Sequence, residues 1–326
     1  MTLKIRLATP LAAATLSMSG AMTAADTITV CASGCQFASI LEAIDAAQDG
    51  DVIQLAAEIY EEGESIDPAG KEITLRGALD KAGNPLSVLD GGNPVGGTSG
   101  VRVLVCRTSE TSATIFENLV IQNGYAVGNF TIGNGGGGMY NDASSPTVIN
   151  CIFENNHAVY NGGGMFNENG SAPTVIDCVF RTNHGLYGGG MLNQSSSPTL
   201  EGCLFTGNQA FAGGGLFNFD SSPTVSDSDF CGNLVAGIGL EIASQVSGDP
   251  IAGEEAGNCI AIDCDDCDSA LSCLGDINGD LLVDSADLGL IIGAWGTANP
   301  SIDLNGDGLV DSGDLGLVIG AWGQCP

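Results

Sequence analysis

The chain has 326 residues, of which 44% are apolar, only 14% are charged and 49 are glycine. This composition favours a folded chain and excludes a disordered protein or a coiled coil. The 39 acidic residues outnumber the 8 basic residues and give a formal net charge of −31. Because such a charge repels phosphate groups and anionic lipids, we expect no nucleic-acid partner.

Residues 1–25 have the pattern of a secretory signal peptide. Lys4 and Arg6 precede an apolar stretch that ends at Met18, and small residues follow at a suitable cleavage site. The apolar stretch is shorter than the ~20 residues that a membrane-spanning helix needs. We therefore expect a secreted or cell-surface protein with no integral membrane segment after cleavage. Export would allow the 12 cysteines to form disulfides.

Residues 26–50 are predicted to form an N-terminal cap for the repeat region that follows. Apolar residues from Phe37 to Ile44 keep helical spacing, and a turn at 49–51 leads into a predicted strand, Val52 to Leu55. Cys31 and Cys35 could form a bridge within this cap.

A repeat of 25 or 26 residues runs through the middle of the chain. Each copy begins with Gly-Gly-Gly, then Met or Leu, and ends two residues later in Asn, at 136–141, 162–167, 188–193 and 213–218. A proline that opens a short strand follows each time, with a phenylalanine seven residues later and an asparagine three residues after that. These landmarks are Phe153, Phe180, Phe205 and Phe230, and Asn156, Asn183, Asn208 and Asn233.

A unit this short cannot bury its inner face alone, so it must stack on its neighbours as one coil of a parallel β-helix. Coils ~4.8 Å apart would place equivalent residues in ladders. We predict that the phenylalanines stack inside and that both asparagine columns, which begin at Asn141 and Asn156, hydrogen-bond along the ladder. Cys151, Cys178 and Cys203 should form a column of buried thiols, continued by Ser228. We expect about seven or eight coils over residues 51–258.

The Gly-Gly-Gly-Met motif and the motif Phe153-Glu154-Asn155-Asn156 resemble the repeats of polymorphic outer membrane proteins. The segment from Ile40 to Asp51 resembles the cap of secreted right-handed β-helix proteins. Together these resemblances cover roughly residues 35–235 and imply an all-β, right-handed parallel β-helix solenoid of the pectate-lyase-like fold. That fold includes lyases, hydrolases, esterases and adhesins, so the resemblance implies a fold and not a reaction.

Residues 259–273 are predicted to be a linker rich in Cys and Asp. Cys259, Cys264, Cys267 and Cys273 could together hold zinc, but their spacing is irregular and an exported protein more often oxidises such thiols. Cys273 could instead pair with Cys325 or with a cysteine of this cluster, and the sequence leaves the pairing open.

Residues 274–326 contain two twelve-residue loops that begin 27 residues apart. In each loop, acidic or amide side chains at positions 1, 3, 5, 9 and 12 and a backbone carbonyl at position 7 match the oxygen ligands of a calcium site. The predicted ligands are Asp276, Asn278, Asp280, Leu282, Asp284 and Asp287 in the first loop, and Asp303, Asn305, Asp307, Leu309, Asp311 and Asp314 in the second. We therefore expect two bound Ca²⁺ ions.

A predicted helix follows each loop, from Ala286 to Trp295 and from Gly313 to Trp322, and there is no room for a helix before the first loop. This duplicated loop-helix unit, with Asp at position 12, resembles a dockerin, a small α-helical module that docks onto cohesin domains. The resemblance implies a cohesin-like or cell-surface protein as the partner of the tail. In that family the recognition residues are at loop positions 10 and 11, here Ser285-Ala286 and Ser312-Gly313.

The repeats offer few groups for catalysis. A polyuronate lyase of this fold needs a basic proton acceptor, and the only basic residue after Arg107 is Arg181. A hydrolase needs converging carboxylates. Two columns of outward side chains contain carboxylates. The first includes Asp142 and Glu168, and the second consists of Asn150, Asp177, Gly202 and Asp227. We interpret both columns as solvated faces.

His157 and His184 should stack on adjacent coils. They could form a metal site or a platform for sugars; we interpret them as an exposed turn ladder that Gln209 and Leu234 continue. We assign no catalytic and no cofactor-binding residue besides the calcium ligands. The predicted function is non-catalytic: surface adhesion, contact with a neutral glycan or structural display. The alternative is a polysaccharide-degrading lyase or glycoside hydrolase of the pectate-lyase-like fold.

Overall fold

A computed structural model describes residues 25–93, 100–127, 135–235, 245–251, 257–261, 282–299, 308–320 and 322–324, together with Cys264, Ile277, Ile302 and Leu304. In chain order the elements are β1 (Thr27–Val30), α1 (Ile40–Ala46), β2 (Val52–Leu55), β3 (Ile59–Tyr60), β4 (Thr74–Arg76), β5 (Ser87–Asp90), β6 (Leu104–Cys106), β7 (Ile115–Glu117), β8 (Leu119–Gln122), β9 (Tyr125–Ala126), β10 (Met139–Asp142), β11 (Thr147–Ile149), β12 (Ile152–Glu154), β13 (His157–Ala158), β14 (Met165–Glu168), β15 (Thr174–Ile176), β16 (Val179–Arg181), β17 (Met191–Gln194), β18 (Thr199–Glu201), β19 (Leu204–Thr206), β20 (Gln209–Ala210), β21 (Leu216–Phe219), β22 (Thr224–Ser226), β23 (Asp229–Cys231), β24 (Leu234–Val235), β25 (Val246–Gly248), β26 (Cys259–Ala261), β27 (Leu282–Val283), α2 (Ser285–Gly293), α3 (Ser312–Gly320) and β28 (Gly323–Gln324).

Three parallel sheets form the solenoid. The first joins β1, β2, β4, β7, β11, β15, β18 and β22; the second joins β6, β10, β14, β17, β21 and β25; and the third joins β3, β5, β8, β12, β16, β19, β23 and β26. Neighbours in each sheet come from successive coils, as in the pairing of Phe153 with Phe180 and of Phe180 with Phe205. The chain therefore winds as a parallel β-helix of about eight coils, and the predicted solenoid is confirmed.

Each coil turns at residues with left-handed backbone conformation. In the coil that starts at Gly136 (φ 67°), β10, β11 and β12 are followed by Ala143 (φ 49°), Asn150 (φ 48°) and Asn155 (φ 55°). The same four corners recur in the next coils. Glycine and asparagine tolerate positive φ better than most residues, which accounts for Gly136, Asn150 and Asn155 at these corners.

The predicted phenylalanine ladder forms the core of the third sheet. Phe153, Phe180, Phe205 and Phe230 are all fully buried. Their successive ring centres are 4.6, 4.5 and 4.7 Å apart, and the ring planes deviate from parallel by 3°, 1° and 9°. The inward assignment of this column is confirmed.

Two buried amide ladders follow the corners. Asn141, Asn167, Asn193 and Asn218 are linked by side-chain hydrogen bonds of 2.8, 2.8 and 3.0 Å. Asn156, Asn183, Asn208 and Asn233 are linked by bonds of 3.0, 2.9 and 2.9 Å. In the second ladder the amide also donates to backbone one coil back, as from Asn183 Nδ2 to the Phe153 carbonyl at 2.9 Å. Buried turn backbone is thereby hydrogen-bonded, as predicted.

The cysteines divide between thiols and disulfides. Four cysteines are buried free thiols: Cys106, Cys151, Cys178 and Cys203. The Cys203 amide donates to the Ser228 hydroxyl at 3.0 Å, so Ser228 continues the column. The predicted column of buried thiols is confirmed. Burial raises the pKa of the Cys178 thiol well above its usual range.

The structure contains the Cys31–Cys35 bridge suggested for the cap and a second bridge between Cys231 and Cys264. Cys259 is also disulfide-bonded. The four-cysteine zinc site considered for the linker is therefore wrong, because two of its thiolates are oxidised and cannot bind a metal ion.

The predicted cap combines a strand and a helix. β1 pairs with β2 and is the first strand of the first sheet. Helix α1 begins at Ile40 because Ser39 caps it, accepting from the Glu42 amide at 3.3 Å. Lys71 Nζ donates to carbonyls at the C-terminal end of α1, including that of Ala47 at 2.9 Å, which fastens the helix to the next coil.

The C-terminal segment has its own small core. Helices α2 and α3 bury Ile291 and Val318, together with Val283 and Val310. β27 and β28 form an antiparallel pair. Both helices end slightly before the predicted tryptophans, which remain about half exposed. No helix in the described part of the chain is long and apolar enough to cross a membrane.

The phenylalanine ladder should dominate the stability of the solenoid. Replacing Phe180 by Ala should lower the free energy of unfolding by about 3 to 5 kcal/mol, because it leaves a cavity between two stacked rings. Arg181→Ala, at the adjacent outward position, should cost about 0 to 1 kcal/mol, since it removes only a surface ion pair. Denaturant unfolding of both variants measures the difference, and equal small effects would contradict the role of the ladder.

Candidate functional site

A groove of about 340 Å³ lies on the outer surface of the solenoid, beside the corner that follows the third sheet. We call it the imidazole groove. Its lining residues are Asn93, Asn155, Asn156, His157, Thr182, His184 and Gln209. No Asp, Glu, Lys or Arg is among these lining residues, so the groove is polar but uncharged when the histidines are neutral.

The alternation of side chains along a strand creates one wall of the groove. Asn156 points into the buried amide ladder, His157 points outward, and Ala158 is again buried. Parallel pairing places His157 beside Tyr125 on the preceding coil and beside His184 on the following coil. Gln209 and Leu234 continue the column, as predicted.

The rings of this column contact each other edge to face. The Tyr125 and His157 ring centres are 5.2 Å apart with an angle of 85° between the planes, and those of His157 and His184 are 4.8 Å apart with an angle of 64°. Burial lowers the pKa of both histidines, and the neighbouring His184 lowers that of His157 further. This direction of the pKa shift favours the neutral form of both imidazoles.

The corner residues form the opposite wall. Asn155 and Thr182 are both left-handed, with φ of 55° and 53°. The Thr182 hydroxyl donates to Asn155 Oδ1 at 2.9 Å, which fixes the two side chains along the solenoid axis. A hydroxyl and amides on one side thus face imidazoles and an amide on the other.

An apolar ledge borders the histidine column. It consists of Val127, Val159 and Phe211, each two residues after its coil's member of that column, and these side chains are 66%, 36% and 59% exposed. Tyr187 packs against Phe211 with ring centres 6.3 Å apart. The ledge offers an aromatic surface next to a polar groove.

The carboxylates considered for catalysis have structural contacts. Asp142 and Glu168 are neighbours in register, as predicted, but Glu168 is buried and accepts a hydrogen bond from the Tyr140 hydroxyl. The interpretation of Glu168 as part of a solvated face is therefore wrong. The Arg102 guanidinium lies 4.5 Å from the centre of the Tyr140 ring, and its burial lowers the pKa of Arg102 to about 10. These groups cover the outer face of the second sheet.

The second column of candidate carboxylates coincides with a corner. Asn150, Asp177, Gly202 and Asp227 all have positive φ, between 48° and 63°. Asn and Asp are enriched in this conformation because their short polar side chains can hydrogen-bond locally. The column is therefore explained by backbone conformation.

Arginines of the solenoid are engaged by other groups. Arg181 forms an ion pair with Glu154 at 2.6 Å, Arg107 pairs with Asp67 at 3.4 Å, and Arg76 pairs with Glu117. Arg102 is held over Tyr140 and donates to the Gly135 carbonyl at 2.7 Å. The candidate lyase base Arg181 is thus neutralised by its neighbour.

Six of the predicted calcium ligands lie outside the described residues: Asp276, Asn278, Asp280, Asp303, Asn305 and Asp307. Leu282 lies in β27 and Leu309 precedes α3. Asp284 and Asp311 accept from backbone amides at the starts of α2 and α3, both at 2.7 Å.

The last ligand position is buried in both loops. Asp287 accepts from the amides of Ile277 and Asp284, at 2.7 and 3.0 Å. Asp314 accepts from the amides of Leu304 and Asp311, at 2.7 and 2.8 Å. Each carboxylate therefore joins the beginning of its loop to the following helix, and the same pattern of hydrogen bonds occurs at both positions.

Sequence reasoning did not identify Tyr125, Asn155 and Thr182 as neighbours of the histidines. The signal was present in the repeat, because Ile121 occupies the ladder position of Phe153 and Tyr125 is four residues later, as His157 is after Phe153. Asn93 comes from an irregular early coil, where no repeat landmark marks its position.

The lowered pKa of the histidines has a measurable consequence. In an NMR titration both imidazoles should have midpoints below the ordinary value of about 6.5 and should return to it when the chain is unfolded. Because the folded state then binds fewer protons, its stability should be complete above about pH 6.5 and should fall as the pH drops through the folded pKa. Midpoints at or above 6.5 in the folded protein would contradict the effect of burial.

Comparison with known proteins gives a fold. Residues 93–249 match a family model described as a right-handed β-helix region. No curated protein matches the chain.

Solved structures that resemble this chain include three enzymes. A pectin methylesterase from Aspergillus niger is 16% identical, with a TM-score of 0.45 over 72% of this chain and 73% of that chain. A pectate lyase is 13% identical, with a TM-score of 0.40 over 71% and 69%. A pectin methylesterase from Erwinia chrysanthemi is 13% identical, with a TM-score of 0.38 over 64% and 66%. The family match and the parallel sheets together make the solenoid a right-handed parallel β-helix.

Proposed function

We propose that the protein is an exported, non-catalytic β-helix protein that binds a neutral glycan along the imidazole groove and serves in surface adhesion or structural display. The observation that carries this proposal is the lining of the groove. Amide, hydroxyl and imidazole groups face one another without a formal charge, beside the aromatic side chain of Phe211. Concave sites of this kind, with a few convergent polar groups near apolar surface, suit small neutral ligands.

The coil repeat suits an extended ligand. Thr182 and His184 lie one coil beyond Asn155 and His157, so similar polar groups recur every ~4.8 Å along the axis. A linear glycan lying along the groove could hydrogen-bond to each coil in turn, and the exposed Phe211 ring could stack on the apolar face of a sugar. Many weak contacts of this type suit adhesion.

The charges of the solenoid favour a neutral ligand over an acidic one. Arg76, Arg107 and Arg181 are paired with carboxylates, and Arg102 is half-buried over Tyr140. With a net charge of −31, the chain would repel a polyuronate. The structural roles of Glu168 and of the corner aspartates support a role without turnover, because general acid-base catalysis needs a positioned and accessible pair of groups.

We also propose that the tail is a dockerin-like module with two Ca²⁺ sites. The equivalent hydrogen bonds of the buried Asp287 and Asp314 support two similar calcium loops. Calcium bound at oxygen ligands would supply the positive charge that this acidic segment lacks. Residues 259–326 contain aspartates but no basic residue, so their mutual repulsion would otherwise oppose folding.

The tail also has a surface for a partner. Ile292 and Ile319 occupy equivalent positions on α2 and α3 and are 60% and 57% exposed, and Trp295 and Trp322 are 46% and 52% exposed. In this proposal a cohesin-like or cell-surface protein covers these groups. The signal-like residues 1–25 and the disulfides of the described chain support export to such a surface.

The glycan proposal predicts binding without cleavage. Retention of the purified protein on neutral cell-wall glycans should be measurable by affinity electrophoresis. Phe211→Ala should weaken it by about 2- to 10-fold through the loss of ring stacking. Phe219→Ala is the matched control, since Phe219 is similarly exposed but lies on β21 of the second sheet and not on the apolar ledge beside the histidine column.

The same protein should release no reducing sugar and no unsaturated product from pectate, pectin, xylan or alginate with added Ca²⁺. Degradation that is abolished by Asp142→Asn, Glu168→Gln or Asp177→Asn would instead establish the alternative, a polysaccharide-degrading enzyme.

The calcium proposal predicts two bound ions per chain in calorimetry of the full-length protein. Asp276→Ala and Asp303→Ala should each remove one ion, because each deletes the first ligand of one loop. Asp268→Asn, outside both loops, should change nothing. A chelator should reduce the helical signal of the tail in circular dichroism. Two ions that remain after both alanine substitutions would refute the assignment.

A further inference from the structure

The only two histidines of the chain lie next to each other in the imidazole groove. His157 and His184 are backbone neighbours on adjacent coils, and their ring centres are 4.8 Å apart. Within the described chain, neither imidazole makes a hydrogen bond to a protein group. The ring nitrogens are thus available to a ligand in the groove.

The rings of His157 and His184 are not stacked in parallel as the rings of the phenylalanine ladder are. The stacked rings of Phe153 and Phe180 lie within 3° of parallel, whereas the imidazoles are inclined by 64°. Because χ2 of histidine is soft, either ring can turn a nitrogen toward a shared point. Parallel stacking would direct the nitrogens away from such a point.

The separation of the rings matches that of two imidazoles on one metal ion. With metal–nitrogen bonds of about 2.0 to 2.1 Å and angles between square-planar and tetrahedral values, the ring centres would be roughly 4.5 to 5.2 Å apart. The spacing of the coils therefore holds the two side chains at a suitable distance before any ion binds.

We propose that His157 and His184 together bind one divalent transition-metal ion of the Zn²⁺, Ni²⁺ or Cu²⁺ class. Imidazole nitrogen suits these ions and not Ca²⁺. Gln209, the next residue of the column, offers an amide oxygen, and water completes the coordination. The strongly negative chain favours the approach of a cation. The site uses other residues than the two loops of the tail and differs from them in ligand chemistry.

The test is a titration of the full-length protein, first saturated with Ca²⁺ to occupy the oxygen sites. Cu²⁺ and Ni²⁺ should each bind at one site that involves the histidines, and the electron paramagnetic resonance spectrum of the Cu²⁺ complex should show coupling to two imidazole nitrogens. His157→Gln and His184→Gln should each weaken this binding by about 10- to 100-fold. Tyr187→Phe, outside the groove lining, should leave it unchanged.

A measurement on the unaltered protein guards against a variant that fails to fold. Zn²⁺ should protect both histidines from modification by diethyl pyrocarbonate, and Ca²⁺ should not. The proposal is overturned if the Ca²⁺-saturated protein takes up no Cu²⁺ or Ni²⁺, if both glutamine variants bind as tightly as the unaltered chain, or if Zn²⁺ gives no protection.

Discussion

The in-register pairing of parallel strands from one coil to the next is the interaction on which this molecule is built. It fixes a spacing of ~4.8 Å along the axis, so any side chain that recurs once per coil must contact its own equivalent. Flat phenylalanine rings, such as Phe180 between Phe153 and Phe205, fill that spacing without voids. Amides such as Asn183 can donate to one neighbour and accept from the other. The repeated sequence is therefore a consequence of the spacing.

The same constraint shapes the candidate site where the ladders reach the surface. Inside the solenoid, every amide of the Asn156 column has a partner on the next coil. At the groove, the histidine column keeps the spacing, but its rings neither stack in parallel nor hydrogen-bond to protein groups of the described chain. Positions that the backbone has already ordered, with polar atoms left available, lose little entropy when a ligand binds. This is the physical basis for proposing that a glycan and a metal ion bind there.

The distribution of charge separates the two parts of the chain. In the solenoid, carboxylates have local partners: Glu154 binds Arg181, and Glu168 accepts from Tyr140. In the tail, the described carboxylates accept from backbone amides at the ends of loops and the starts of helices, as Asp287 does. Residues 259–326 contain no Lys or Arg, and a high density of carboxylates without basic residues is the condition under which a divalent cation would contribute most to folding.

The sequence by itself determined the coil, because landmarks such as Phe153 and Asn156 recur at a period that only stacking can satisfy. It also determined the inward ladders, the buried thiols and the two tail helices, since each follows from local spacing. The tertiary structure decided what the period does not encode. It buried Glu168 and joined it to the Tyr140 hydroxyl, paired Cys231 with Cys264 across 33 residues, and brought Asn93 to the histidines. The disulfide and the Asn93 contact each involve a segment that lacks the repeat landmarks, and the Glu168 contact depends on how side chains of adjacent coils pack, which no local pattern specifies.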